Sequence, residues 1–367
     1  MKFSKSNNNP FFNGIKPLVD DYFSSRNISK KGNAALMVKG VILVGVFVLA
    51  CLNIYREQAS LFSLAMGYII MGLSGVMIVF NLVHDASHNA ASNKKWVNKS
   101  VCFIGDLLGI NTHIWNIRHN IQHHTFTNVL GGDLIIENVP LIRLSPQQPY
   151  KPFHRYQLLY APLLYMFYSF YWMFVIDFKL FFKKDICNLH HIKHPVREWV
   201  ILFATKLFYI TYMIVLPYIF TPWGLPVVIG LFLLMHIAAG LLLSFVAVLG
   251  HFVEGTSFPQ PENEVIDNSW SEHELEATID FAPESRLVNW VTGGLNTHVA
   301  HHLFPSVCHV HYYRLTKLIE AYCHKHHFPY KKDSLSGALR SHFRYLKKLS
   351  QEDLSLQTEP LTGLRNL

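Results

Sequence analysis

Apolar and polar positions fall in long blocks along this chain, not in single alternation. Ala34–Leu52 is apolar except for Lys39, and Leu61–Val83 follows after a polar turn at Arg56 and Glu57. Trp199–Phe220 and Leu225–Leu249 form a second pair, joined by the short uncharged stretch Thr221-Pro222-Trp223-Gly224. At 1.5 Å per residue, about 20 residues cross a ~30 Å hydrocarbon layer. Each block therefore predicts a membrane-crossing helix, with Lys39 expected to snorkel toward the interface. Two further runs are weaker. Val101–Ile110 is too short to cross and is expected at the interface or against the core. Tyr156–Ile176 is long enough but crowded with Tyr, Phe and Trp, which favour interfaces, and four prolines at 140, 146, 149 and 152 precede it. The blocks divide the chain into a short arm (1–33) with at most one small helix, a membrane domain (34–330) and a basic, polar tail (331–367).

Composition narrows the class. Half of the 367 residues are apolar, and 32 Lys and Arg against 24 Asp and Glu leave a formal charge of +8. In a soluble protein such charge points to nucleic acid; here the basic residues flank apolar runs, so a bilayer is expected and nucleic acid is not. The first apolar run has no small-residue cleavage pattern after it, and no secretory signal is expected. The cysteines at 51, 102, 187, 308 and 323 form no CxxC pair, which favours neither a disulfide framework nor a thiolate metal site.

Histidines supply the chemistry. His84 and His88 are four apart; His119, His123 and His124 follow; His298, His301 and His302 lie far downstream. Residues three and four apart share a helix face, so each set can point one way. Zinc sites take three or four ligands. Eight clustered imidazoles exceed that and suit two first-row metals with open positions. His251, at the end of the fourth crossing, is a ninth candidate. His190, His191, His194, His309, His311, His324, His326 and His327 lack a matching arrangement and are expected at the surface or in support of the ligands. His236, inside the fourth crossing, is expected to pack or to line a tunnel.

A shared site needs all clusters on one membrane face. Three apolar runs separate the second cluster from the third, so one of them should not cross, and 156–176 is the candidate; a re-entrant pair is the alternative. The remaining four crossings make two hairpins. Lys94, Lys95, Lys99, Lys179, Lys183, Lys184 and Arg197 then share the side of the clusters, while the opposite loops hold only Arg56 and Glu57. That makes the cluster side cytoplasmic. The expected fold is an all-α, multi-pass integral membrane protein with four transmembrane helices and a cytoplasmic helical cap around a di-metal site.

The chain resembles the membrane fatty acid desaturases, a family with three histidine boxes. His84-Asp85-Ala86-Ser87-His88 is similar to the first box. His119, His123 and His124 match the second, and His298, His301 and His302 with Leu303-Phe304-Pro305 match the third. The resemblance covers about residues 35–330. Gly293-Gly294-Leu295-Asn296 before the third box is similar to the front-end branch, which acts between an existing double bond and the carboxyl end. That branch typically has Gln where this chain has His298, which bears on regiochemistry. Many front-end relatives also carry a haem domain with an HPGG motif, and no HPGG occurs here. The resemblance implies two non-haem irons, O₂ as co-substrate, and a separate electron donor such as ferredoxin or a haem carrier. It also implies a fatty acyl substrate linked to coenzyme A, a carrier protein or a lipid. Asp85, Asp133, Glu137 and Glu254 are the expected partners of ligand histidines, with Asn120, Gln122 and Asn128 as further hydrogen-bonding candidates. Trp115, Trp172, Trp199 and Trp290 are candidates to line or seal an acyl tunnel, or to pack and anchor. A membrane hydroxylase with the same metals is the near alternative. A metal transporter would place ionisable ligands at mid-membrane, where these crossings carry almost none.

Overall fold

The structure is a computed structural model that describes residues 1–4, 9–137 and 139–351. Among these, Ala34–Ile54, Leu61–Ser87, Val196–Phe220 and Leu225–Leu249 are the helices long and apolar enough to cross a membrane. Local sequence sets their starts. The Asn33 side chain accepts the Ala35 N–H, the Ser60 side chain accepts the Ser63 N–H, and Pro226 occupies the first turn of the fourth helix, where a missing N–H costs nothing. Val41, Leu49, Phe62 and Leu207 point outward and stay exposed, as lipid-facing side chains must.

The fourth helix is the hub. Gly72 lets the second helix lie against it: a Cβ there would come 2.5 Å from the Met235 carbonyl oxygen. Gly240 does the same for the segment around Met166. Small residues permit such approaches between apolar helices. The aromatic run is not one straight helix. It forms Pro152–Met166 and Tyr168–Phe181, bent by 66°. Asp177, on the second arm, pairs with Lys206 of the third helix at 2.6 Å and accepts the Asn111 N–H at 2.9 Å. The short run 101–110 lies mostly in helix Lys95–Leu107, whose last carbonyl accepts the Tyr212 hydroxyl at 3.0 Å.

The expected arm holds its one small helix, and the described parts of both chain ends pack onto the rest of the protein. Pro10–Ser24 is a helix that buries Phe11, Ile15, Val19 and Phe23, a strict four-residue spacing, against Leu315, Ile319 and Cys323 of helix Tyr312–His326. Leu335–Leu349 is a helix that buries Ala338, Tyr345, Leu346 and Leu349 in the main core. Gln157 donates to its Leu346 carbonyl at 2.8 Å. This part of the expected tail is amphipathic: basic residues occupy one face, and the other face packs. Residues 352–367 of that expected tail lie outside the described residues. Two short parallel pairs, Lys2–Phe3 with Val265–Ile266 and Asp280–Phe281 with Lys332–Asp333, hold both ends onto the segment between the fourth helix and the third histidine set.

Candidate metal centre

Wide helical turns aim two of the histidine sets. The second helix passes through a π-helical turn at Val79–Val83 immediately before His84. Helix Thr112–Trp115 runs into a π-helical stretch, Asn116–His123. In such a stretch hydrogen bonds run five residues apart, not four. His119 and His124 accordingly face each other, with Nε2 atoms 3.2 Å apart. His119 and His123 share a face as expected, their rings stacked with centroids 5.4 Å apart, and each ring joins a different group.

All nine predicted histidines meet. His84, His88, His119 and His301 bring ring nitrogens within 4.8 Å of one another, and His123, His251, His298 and His302 form a second group of the same tightness. His124 sits between the groups, with His301 and His302. His84 and His88 thus stay in one group, while the second and third sets are each divided between the two.

Ring hydrogen bonds fix what the second group can hold. His251 Nδ1 lies 3.2 Å from the Ala277 carbonyl, and His298 Nδ1 lies 2.9 Å from the Leu295 carbonyl. A carbonyl only accepts, so both Nδ1 atoms carry the proton and both Nε2 atoms present lone pairs. His123 Nδ1 donates to Asp133 at 2.9 Å and His302 Nδ1 to Glu274 at 2.7 Å, with the same result. Yet His298 and His251 Nε2 approach to 2.6 Å, and His123 and His251 Nε2 to 3.1 Å. Lone pairs facing lone pairs have no proton to share; a cation between them resolves the conflict. In the first group His88 Nε2 and His301 Nε2 are buried without a hydrogen-bond partner. The donor set therefore fits metal ions. Burial, reinforced by neighbouring imidazoles, pushes protonation of His88 and His298 down to about 3 and that of His119, His124, His251, His301 and His302 well below the usual range. Neutral rings are the form that binds metal.

A cavity of about 520 Å³ opens beside these rings. His84, His119, His123, His251 and His298 form one wall, and the rest is almost wholly apolar, with Trp115 and Trp172 in edge contact at 5.5 Å.

Residues 59–334 match the family model described as "Fatty acid desaturase". The chain belongs to the fatty acid desaturase family. It is 32% identical to the sn-1 linoleoyl-lipid 6-desaturase of Arthrospira platensis, over 94% of this chain and 94% of that protein. It is 30% identical to the sn-1 linoleoyl-lipid 6-desaturase of a Synechocystis strain, over 91% and 93%. It is 29% identical to the acyl-lipid (8-3)-desaturase of Physcomitrium patens, over 97% of this chain and 75% of that protein. The protein is thus an oxidoreductase of lipid metabolism.

Other predicted residues divide sharply in the desaturase. Asp133 touches a ring of the site, and its Oδ2 also accepts the Asn128 N–H at 3.0 Å, which keeps it an acceptor. Glu137 and Glu254 do not reach the histidines. Glu137 is exposed and accepts the Gly131 N–H at 2.9 Å; Glu254 pairs with Arg344 at 2.7 Å. Asp85 is buried but turns to His309 Nδ1 at 2.7 Å and the Cys308 thiol at 2.9 Å. Lys39 lies 3.2 Å from His309 Nε2 and over the Trp290 ring at 5.1 Å, so it turns inward and does not snorkel. Asn128 donates to the Ala277 carbonyl at 3.1 Å, holding the helix end that orients His251. Asn120 donates to the Ser87 carbonyl at 2.9 Å, and both polar atoms of Gln122 are buried without partners. Trp199 and Trp290 are not lining residues of the large cavity; Trp199 packs on Phe181 at 4.6 Å. His236 takes hydrogen bonds with Ser169 at 2.9 Å and Tyr209 at 3.3 Å. Sequence reasoning missed Glu274. It lies on helix Trp270–Ala277, which Ser269 caps with help from Glu272. That Ser-x-x-Glu signature marks the helix, though not which of its carboxylates turns inward.

Proposed function

We propose that the nine histidines hold two irons and that the enzyme places a double bond in a lipid-linked fatty acyl chain, with O₂ as oxidant and electrons from a separate protein. The convergence of unprotonated Nε2 atoms beside an acyl-sized apolar cavity carries this reading. Bound iron with O₂ supplies the oxidising power to remove one hydrogen from each of two adjacent methylenes, with water as the other product. The polypeptide's own task is to position and to exclude. Asp133, Glu274 and the carbonyls of Ala277 and Leu295 hold four rings in one tautomer, so the ligand atoms are set before substrate arrives. The apolar walls bind an unreactive chain at about 0.8 kcal/mol per buried methylene and keep water from the oxidant. His298, where front-end relatives typically have Gln, is well placed to be a ligand of the second metal. The names of the relatives favour a glycerolipid carrier and front-end regiochemistry.

In the bilayer the four apolar helices cross as two hairpins, and the histidines with the helical segments around them face the cytoplasm. The connections 55–60 and 221–224 are short, and the 66° bend in the aromatic run favours a segment that enters without crossing. Expression in a host of defined lipid content, followed by mass spectrometry of double-bond position, tests the function. The expected product is two hydrogens lighter than its precursor. A product carrying one added oxygen would replace this reading with hydroxylation.

A further inference from the structure

Among the described residues, Arg118 is the one formal cation on the wall of the acyl cavity. It is 6% exposed. Its guanidinium lies over Trp172, 4.6 Å from the ring centre, and Nη2 donates to the Tyr168 hydroxyl at 3.1 Å. The other terminal nitrogen, Nη1, is buried with no hydrogen-bond partner. Among the described residues no carboxylate forms an ion pair with it; Asp177 feels its charge but is paired with Lys206. A guanidinium is a planar fork that stays charged and is best met by an oxygen acceptor. A buried fork with a free prong, on an otherwise apolar wall, lacks its partner.

An acyl substrate offers oxygen only at its carboxyl end. We propose that Arg118 binds the ester or thioester oxygen at that end of the acyl chain and so sets the position of the new double bond. Arg118 immediately precedes His119, whose ring belongs to the first histidine group. Arg118 and His119 both line the cavity, so an acceptor held at Arg118 shares one chamber with the oxidising centre and fixes how much of the chain reaches it. The cleft of Leu164, Phe167 and Val175 is left for the remaining chain. Regiochemistry counted from the carboxyl end follows from this proximity. The proposal rests on the desaturase reading of the cavity.

The test compares the full-length enzyme with Arg118→Gln and Arg118→Lys in membranes supplied with an electron donor. Glycerolipid-linked and coenzyme A-linked acyl chains are given in separate arms, and iron is measured on each sample. In the arm that the unsubstituted enzyme turns over, Arg118→Gln lowers kcat/KM about tenfold or more, as loss of a charged hydrogen bond would. It also spreads the double bond over neighbouring positions, at unchanged iron content, and Arg118→Lys falls between. A single unchanged double-bond position in both variants overturns the proposal. So does a loss that follows iron content alone, which would make Arg118 a packing or water-bridged partner of Asp177. If Arg118→Gln does not accumulate, Arg118→Lys decides by the same readouts. An unsubstituted enzyme that makes no double bond rejects the desaturase reading itself, a result distinct from either.

Discussion

At the scale of single residues, the decisive atoms are the ring nitrogens turned away from the proposed metals. His123 and His302 each give Nδ1 to a buried carboxylate, and these contacts choose the tautomer of the ligand. Asp133→Asn and Glu274→Gln are therefore expected to weaken iron binding about 10- to 100-fold, measured by metal analysis after graded chelation. Glu254→Gln is expected to leave it unchanged, since that side chain sits with Arg344 at the surface. His123→Ala is expected to abolish product and to lower the iron-to-protein ratio; normal turnover with full iron would remove it from the ligand set. The box histidines were legible because eight imidazoles at helical spacing have few other uses. Glu274 was not, because nothing in Trp-Ser-Glu-His-Glu-Leu-Glu-Ala says which of three carboxylates turns inward.

At the scale of elements, the four long helices were legible almost to the residue, since nothing but length and apolarity is needed to read them. The turns that aim the histidines were not. A π-helical stretch has the same composition as an α-helix, so the spacing of the second set did not show that the wider turn brings His124 round to face His119. The docked end helices were hidden for another reason. Lys and Arg on one face dominate the composition, while the buried face contributes only every third or fourth residue. The Asp177–Lys206 pair also escaped, because Asp177 lies just past one apolar run and Lys206 inside another, and neither run shows that the two meet. It ties the bent aromatic segment, the third helix and the start of the second histidine helix together. Lys206→Met strands a carboxylate that is fully buried, and a loss of ~3–5 kcal/mol is expected. Thermal unfolding in detergent reads it, and adding Asp177→Leu should recover part of the loss.

At the scale of the whole molecule, the parity argument makes one demand: the turns at 55–60 and 221–224 lie across the bilayer from everything else. Cysteine placed at the exposed positions Glu57 and Ser336 separates the alternatives. An impermeant maleimide added to intact cells should label the first and spare the second. Equal labelling of both would require a different number of crossings.

The facing lone pairs of His251, His298 and His123 carry one more consequence. These rings come from three distant stretches of chain, and on the proposed metal reading an ion among them is expected to stabilise the folded cage. Iron supply is then expected to affect how long each molecule lasts. In iron-starved cells the newly made polypeptide should have a shorter half-life in a pulse-chase experiment, and a variant with several of these rings replaced by apolar side chains, although inactive, should persist regardless of supply.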